Sequence, residues 1–476
     1  MTEHFDLVII GAGPAGEKGA AQAAYFGKKV CIVERAPKPG GAAVNTGTIP
    51  SKTLRETALY FSGLRQHGLY GIDYEVRPSI SISDFMYRER TVVEAGWHLI
   101  DENLRRHGVT VVQGTAHFLD ARTVEVQRFK EAPRRITADV FLVATGSQPL
   151  RPAGVPFDDT VVVDTDSLLR LPAIPRRMIV VGGDAVACEY ACTFAALGTR
   201  VTILNDRARL LAQIDGEVSE ALRGDMTRRL GISVHNDTSP EEIAVESGLA
   251  HVKLADGRRI SAECLLYSAG RIGATAGLAL DLAGVRVTPD GHVAVDDRFR
   301  TSVAHIYAVG DVIGFPALAS ASMEQARVAM CHAFELKYKE RVSAVLPYGV
   351  HTIPEVAMVG ETEESARTKG INYEVGRSRF GLNPRGQIIG EVDGFVKLIF
   401  RPEDLRLIGV SIIGESASEM IHTGMACMMY EGTIDFFIQA VFGYPTLSDA
   451  YKYAAYDGLQ RVSKRVAGKT GLPKIG

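Results

Sequence analysis

Short, nearly uninterrupted apolar runs recur along the chain, and several end at a glycine. Phe5-Asp6-Leu7-Val8-Ile9-Ile10 meets Gly11, Met178-Ile179-Val180-Val181 meets Gly182, and Ile306-Tyr307-Ala308-Val309 meets Gly310. Runs without polar alternation fit strands covered on both faces, as in a parallel sheet. Alanine-rich stretches follow the first two, over 14–26 and 185–197, and predict helices. Each leads to another apolar run, Val30-Cys31-Ile32-Val33 or Val201-Thr202-Ile203-Leu204. A strand–helix–strand unit is therefore expected twice. Residues 54–107 read as largely helical, with a charged stretch over 87–107. Residues 109–145 read as strands and turns.

The glycines at the strand ends add chemistry. Gly11-Ala12-Gly13-Pro14-Ala15-Gly16 closes a strand and opens a helix, and Glu34 ends the next strand about twenty residues on. Glycines there admit a pyrophosphate at a helix N-terminus, and the acid binds a ribose hydroxyl. A tight turn with a chance glutamate fits less well. The second window, Gly182-Gly183-Asp184-Ala185-Val186-Ala187 with Asn205, departs from that pattern. Asp184 takes the glycine beside the pyrophosphate. A carboxylate about 4 Å from a phosphate, at an effective dielectric of about 20, costs up to about 4 kcal/mol before screening. Three outcomes are open: Asp184 turns outward, is offset by Arg271, or marks a lost site. Ala187 is a tolerated replacement. Asn205 can bond a hydroxyl without repelling a 2′-phosphate, and Arg207 and Arg209 follow, so NADP and NAD both stay open.

Gly40-Gly41-Ala42-Ala43-Val44-Asn45-Thr46-Gly47-Thr48-Ile49-Pro50-Ser51-Lys52 lets the backbone pass close to a flat ligand. Pro50 and Ser51 suit a helix start, which puts Lys52 in the first turn. Composition sets the bounds. A length of 476 residues predicts two to four domains, and 46% hydrophobic content supports real cores. A net charge of −3 argues against nucleic acid or an anionic membrane as partner. No apolar run has transmembrane length, and the chain enters a strand at once, so no signal peptide is read. The six cysteines are scattered, without framework or metal-ligand spacing, which fits a reducing cytoplasm. Cys188 and Cys192, i and i+4 on one helix, read as small buried side chains rather than a redox or metal pair. Trp97, the single tryptophan, reads as packing.

The Gly40–Lys52 stretch resembles the redox-active loop of the two-dinucleotide flavoprotein disulfide reductases, Gly-Gly-x-Cys-x-Asn-x-Gly-Cys-x-Pro-Ser-Lys. Gly40, Gly41, Asn45, Gly47, Pro50, Ser51 and Lys52 match; Ala43 and Thr48 stand where the cysteines would. Thiol–disulfide exchange needs a thiolate, so that reaction is lost. Further along, Ala144-Thr145-Gly146-Ser147-Gln148-Pro149 resembles the family's crossover out of the flavin domain, and Ala269-Gly270-Arg271 its close of the second nucleotide domain. Thr301 to Asp311 resembles the second flavin motif. Thr352-Ile353-Pro354-Glu355-Val356 and Gly394-Phe395-Val396-Lys397-Leu398 resemble its interface domain. Tyr444 and Asp449 stand where the disulfide reductases carry the His and Glu that serve the dithiol. Tyr444 is expected as a packed aromatic at a dimer contact.

The resemblance implies an α/β fold: FAD-binding and NAD(P)-binding Rossmann-like domains plus a C-terminal α+β dimerisation domain. The expected boundaries are 1–149 (first FAD part), 150–273 (NAD(P)), 274–347 (second FAD part) and 348–476. It assigns FAD to Gly11, Gly13, Pro14, Ala15, Gly16, Glu34, Arg35, Gly41, Gly47, Ser51, Lys52, Thr145, Gly146, Gly310, Asp311, Leu318 and Ala319. It assigns the nicotinamide dinucleotide to Gly182, Gly183, Asn205, Arg207, Gly270 and Arg271. Lys52 is expected to act at the flavin, paired with Glu189, and the helix near Leu318 to face the flavin N1/C2 edge. With the dithiol and its base both gone, the likeness is to the soluble, Si-specific transhydrogenase branch. The implied reaction is NADPH + NAD⁺ ⇌ NADP⁺ + NADH, by ping-pong kinetics through flavin N5, in a cytoplasmic homodimer. Two alternatives stay open: an NAD(P)H:quinone or dye reductase, and a flavin-binding assembly or regulatory protein impaired at Asp184.

Overall fold

The computed structural model describes residues 3–64, 69, 80–128 and 130–470. Part of the helical stretch expected over 54–107 lies outside them. The chain divides into two units. One comprises Met1–Leu54, Ser83–Pro152 and Gly270–Ser343, the other Arg55–Ile82, Ala153–Ala269 and Ala344–Gly476. The fold is α/β, with two Rossmann-type layers and a C-terminal α+β domain.

In chain order the first elements are β1 (Glu3–Ile10), α1 (Pro14–Tyr25), β2 (Val30–Glu34), α2 (Gly41–Asn45), α3 (Thr48–Ser62) and α4 (Ile82–Arg106). Then come β3 (Thr110–Gln113), β4 (Thr115–Asp120), β5 (Thr123–Gln127), β6 (Arg134–Val143) and β7 (Ser147–Pro149). The next run holds β8 (Val162–Val163), β9 (Arg177–Val181), α5 (Ala185–Ala196), β10 (Arg200–Leu204), α6 (Gly216–Arg228) and β11 (Ser233–His235). It continues with β12 (Pro240–Glu246), β13 (Leu249–Leu254), β14 (Arg259–Ala262) and β15 (Cys264–Tyr267). β16 (Arg271–Gly273), β17 (Ile306–Ala308) and α7 (Ala319–Ala333) return to the first unit. β18 (Tyr348–Val350), β19 (Val356–Gly360), α8 (Glu363–Thr368), β20 (Glu374–Arg379), α9 (Pro384–Ile389), β21 (Phe395–Phe400) and β22 (Leu407–Ile413) follow, then α10 (Ala417–Met429), α11 (Asp435–Gln439) and α12 (Ala450–Thr470).

The first unit is built on a sheet ordered β3-β2-β1-β6-β5-β4, with β17 beside the second half of β6. β1 is parallel to both β2 and β6. The expected double burial is met by alternation of faces. Val8 and Ile10 pack with Val33, Phe118 and Phe141 on one side. Leu7 and Ile9 pack on the other with Ala20 and Ala23 of α1 and Ala326 and Ala329 of α7. Small residues let those helices sit close: a Cβ on Gly19 would lie 2.8 Å from Leu142 Cδ2.

The second unit holds a parallel sheet ordered β11-β10-β9-β15-β8, a three-stranded antiparallel sheet β12-β13-β14, and a five-stranded antiparallel sheet β18-β19-β22-β21-β20. α10 and α12 contribute Ile421, Tyr451 and Ala454 to the core over the last sheet. Among the described residues no helix is long and apolar enough to cross a membrane.

Candidate functional site

Each unit carries a strand–glycine–helix turn, after β1 and after β9. In the first unit, β1 ends at Gly11, whose φ of +105° suits glycine. A Cβ there would stand 2.5 Å from Ala144 O, and one on Gly16 only 1.9 Å from Gly11 O. The two glycines thus fix how tightly α1 leaves the strand. Gly13 caps α1 in extended backbone without a side-chain bond, and Pro14 takes the first helical position. The amides of the first turn face no capping oxygen, an arrangement suited to an anion. Ala15 and Gly16 are buried in that turn. A Cβ on Gly41 would lie 2.8 Å from Gly13 Cα, so the glycine loop crosses directly over this helix start.

Glu34 is buried and carries two structural bonds: Oε2 accepts from Ala12 N at 2.6 Å and Oε1 from Ala36 N at 2.8 Å. Each oxygen keeps a lone pair for a ribose hydroxyl. Arg35 is exposed beside it. At the end of β6, Thr145 Oγ1 is buried with no hydrogen-bond partner among the described residues. Gly146 follows at φ +71°. Ser147 Oγ donates to Asp311 Oδ2 at 2.8 Å and accepts from Arg271 Nε at 2.8 Å, while Arg271 Nη2 donates to Ser147 O at 3.0 Å. Gly310 N donates to Gln325 Oε1 at 2.8 Å, which fixes the turn after β17. Leu150 N bonds Gly270 O at 3.1 Å, and Gly270 has φ +128°. Helix α7 begins at Ala319, with Leu318 as an N-cap lacking a side-chain bond. Glycines where a Cβ would clash, uncapped α1 and α7, and the orphaned Thr145 hydroxyl fit a dinucleotide cofactor such as FAD.

The loop without cysteines is closed by its backbone. Thr46 N and Gly47 N both bond Ala42 O, at 3.1 and 2.7 Å, and Ser51 N bonds Gly47 O at 2.9 Å. Asn45 Nδ2 donates to Pro39 O at 3.2 Å and Gly41 O at 3.0 Å. Trp97 Nε1 donates to Asn45 Oδ1 at 2.7 Å. The tryptophan is thus a polar anchor for the loop as well as packing, a role its position in the sequence did not signal. Lys52 lies in the first turn of α3, its Nζ 3.3 Å from Ser51 Oγ.

In the second unit, Gly182 has φ +122°, and a Cβ there would stand 2.2 Å from Ser268 O. Gly183 lies over Asn205, where a Cβ would meet Oδ1 at 2.4 Å. Asp184 is the N-cap of α5, yet its side chain makes no capping bond. It is half-exposed and turned to Arg207, with Oδ1 3.8 Å from Nη1. Ala187 is fully buried. Asn205 is 1% exposed. Its Nδ2 donates to Arg207 O and Asn236 Oδ1, both at 2.9 Å, and its Oδ1 accepts from Arg207 N at 3.3 Å. Both donors are therefore engaged by neighbouring loop atoms. Arg209 is held by Glu364 Oε1 at 3.0 Å and by the carbonyls of Ala212 and Ile214 at 3.1 Å each. Arg207 keeps a half-exposed side chain beside Asp184.

Glu189 is buried on α5, and its Oε1 accepts from His351 N at 2.8 Å. Cys188 and Cys192 are buried thiols on the same helix, turned to Gly183 O and Ile353 O. Tyr444 is 76% exposed in the single chain. Asp449 ends a short 3₁₀ turn before α12. Among the described residues no three potential metal ligands lie together.

The chain is similar to several known proteins. The sequence pattern of the family described as pyridine nucleotide-disulphide oxidoreductase matches residues 5–333, and that of its dimerisation domain matches 346–455. A Mycobacterium tuberculosis protein named soluble pyridine nucleotide transhydrogenase is 44% identical over 460 residues, covering 96% of this chain and 98% of the relative. One of the same name from Marinomonas sp. is 36% identical, covering 97% and 99%. Among solved structures, LpdA from Mycobacterium tuberculosis has a TM-score of 0.88 at 26% identity, covering 96% of this chain and 99% of that one. The HOCl-induced flavoprotein disulfide reductase RclA from Escherichia coli has a TM-score of 0.84 at 26% identity, covering 94% and 98%.

Proposed function

The chain belongs to the pyridine nucleotide-disulphide oxidoreductase family, and on that premise we propose that it is an FAD-dependent NAD(P)⁺ transhydrogenase, working as a cytoplasmic homodimer. The observation that carries this reading is the Gly40–Lys52 loop. It keeps its closure over α1 and its lysine while Ala43 and Thr48 replace the thiols. FAD held at the turn after β1 would supply two-electron chemistry for hydride exchange between nicotinamides. The residues of the chain bind and bias. The uncapped start of α1 holds the pyrophosphate, Glu34 takes a ribose, and Thr145 Oγ1 gains the partner it lacks. Lys52 and the N-terminus of α7 place positive charge where negative charge grows. Hydride exchange between nicotinamides needs no side-chain acid or base, which agrees with Tyr444 and Asp449 at the positions of the dithiol's base. The names of the relatives support the same assignment.

The test is anaerobic mixing of the FAD-loaded protein with NADPH or NADH while oxidised-flavin absorbance is followed. Bleaching with both, reversed by the other oxidised nucleotide, is expected. No bleaching with either at millimolar concentration would remove the assignment, and reduction that quinones but not nicotinamides reverse would make the protein a quinone reductase.

The same reading predicts insensitivity to thiol reagents. All six cysteines are free and buried. Burial pushes the Cys31, Cys192 and Cys264 thiols up to about 12 and that of Cys427 to about 11, far from the reactive thiolate. Iodoacetamide or arsenite at neutral pH is expected to leave the transhydrogenase rate unchanged. Stoichiometric inactivation would show that a thiol takes part.

A further inference from the structure

We propose that Asp184, through its pairing with Arg207, disfavours 2′-phosphorylated nicotinamide dinucleotides and biases the turn after β9 toward NAD(H); the proposal rests on reading α5 as the helix that receives the dinucleotide. An aspartate at an N-cap ordinarily accepts from the second or third amide of its helix. Asp184 forgoes that bond and holds its carboxylate beside Arg207 instead, 3.8 Å away, with both side chains half-exposed. The amides of α5 stay open to a pyrophosphate, and a fixed negative charge stands at the edge of the space.

The other groups at the end of β10 leave discrimination to this pair. Asn205 is uncharged, buried, and committed through both donors to the loop. Arg209 is held by Glu364 and two carbonyls. Two further acids lie nearby: Asp206 is exposed next to Arg207, and Asp237, also exposed, donates its backbone N–H to Arg207 O at 3.1 Å. Arg207 is thus one cation among carboxylates. A 2′-phosphate that recruits it must draw it from Asp184, leaving that carboxylate uncompensated beside two phosphate-bearing groups. NAD(H), with a hydroxyl at that carbon, makes no such demand.

The experiment is calorimetric titration of the FAD-loaded oxidised protein with NAD⁺ and NADP⁺, which bind without turnover. The chains compared are wild type, Asp184→Asn, Arg207→Ala and the double variant, each checked for flavin content. Asp184→Asn is expected to tighten NADP⁺ by about fivefold, the scale of a half-exposed ion pair, and NAD⁺ by clearly less. Raised salt narrows the difference. Arg207→Ala is expected to weaken NADP⁺ more than NAD⁺ and to shrink the selective effect of Asp184→Asn. Equal gains for both nucleotides, or no change in either, would overturn the proposal while leaving the transhydrogenase assignment in place. A selective gain that persists undiminished in the Arg207→Ala background would remove the pairing from it. Binding of neither nucleotide by wild type or Asp184→Asn would instead sink the assignment itself.

Discussion

Gly16→Ala is expected to yield a protein that purifies colourless, with its affinity for FAD reduced by about 100-fold or more. The added Cβ would stand 1.9 Å from Gly11 O, 3.0 Å from Gly11 C and 3.3 Å from Ile9 Cγ2. The first two are backbone atoms of the strand end that forms the cradle, so no rotamer change relieves them. Helix α1 must lift from β1, and its first amides leave the line on which a pyrophosphate binds. Overpacking of this kind costs about 1–3 kcal/mol or more, and each 1.4 kcal/mol is about tenfold in binding. Helix α5 shows the contrast, since it leaves its strand with Ala187 fully buried at the matching position. Gly154→Ala is the control: a Cβ there meets nothing within 4 Å, and bound flavin should be unchanged. Flavin content by absorbance, FAD affinity by titration of the stripped protein, and circular dichroism separate lost binding from lost folding. A yellow Gly16→Ala protein with wild-type affinity would show that α1 yields without cost and that its N-terminus does not hold the cofactor.

That cradle was legible because its determinants are local. Strand, glycines, helix and acid lie within one βαβ unit, and Glu34 bonds Ala12 N and Ala36 N as such a unit requires. The second unit was legible as backbone but not as charge. The direction of Asp184 depends on Arg207, which follows the next strand, and no spacing rule says whether an N-cap aspartate turns inward or outward. The sequence also offered Arg207 and Arg209 as equals. Only folding brings Glu364 to Arg209 and withdraws it. The helix expected near Leu318 starts at Ala319, after an extended Leu318. Least legible was Lys397. In the sequence it stands in a run that resembles an interface-domain strand, whereas all six residues of β21 are buried and its charge must be met there. Its partners are Asp215, Glu217 and Glu363, distant along the chain and unremarkable one at a time.

Lys397→Met is expected to destabilise the protein by about 3–5 kcal/mol, the cost of leaving buried charge without its partner. Lys397 and Asp215 are each 1% exposed. The ammonium donates to Asp215 Oδ1 and Oδ2 at 2.8 and 2.9 Å, and lies 2.9 Å from Glu217 Oε2 and 2.6 Å from Glu363 Oε1. Arg377 adds a second cation, 2.8 Å from Glu217 and 3.4 Å from Glu363. Three carboxylates thus share Lys397 and Arg377, with Arg367 also on Glu363, and removing the lysine bares Asp215, which also caps α6 through Glu217 N, to its acidic neighbours. The pH dependence separates this from loss of packing. Burial by itself would raise the Glu363 carboxyl, but the hydrogen bond and charge of Lys397, with Tyr373 and Arg367, hold it down to about 2 from an ordinary 4.5. A depressed acid contributes stability that is complete above about pH 4.5 and is lost as pH falls toward about 2. The Lys397 ammonium is shifted upward, burial being outweighed by Asp215 and Glu363, so its contribution is complete below about pH 10.5 and lost at higher pH. Thermal unfolding at one scan rate is therefore expected to show a large drop in Tm at pH 7 and a flatter acid limb for Lys397→Met. Lys397→Met with Asp215→Asn is expected to recover part of the loss, because the most deeply buried of the bared acids is then neutral. If Lys397→Met unfolds at the wild-type temperature with the wild-type acid slope, the three carboxylates do not depend on the lysine, and the cluster contributes nothing to folding.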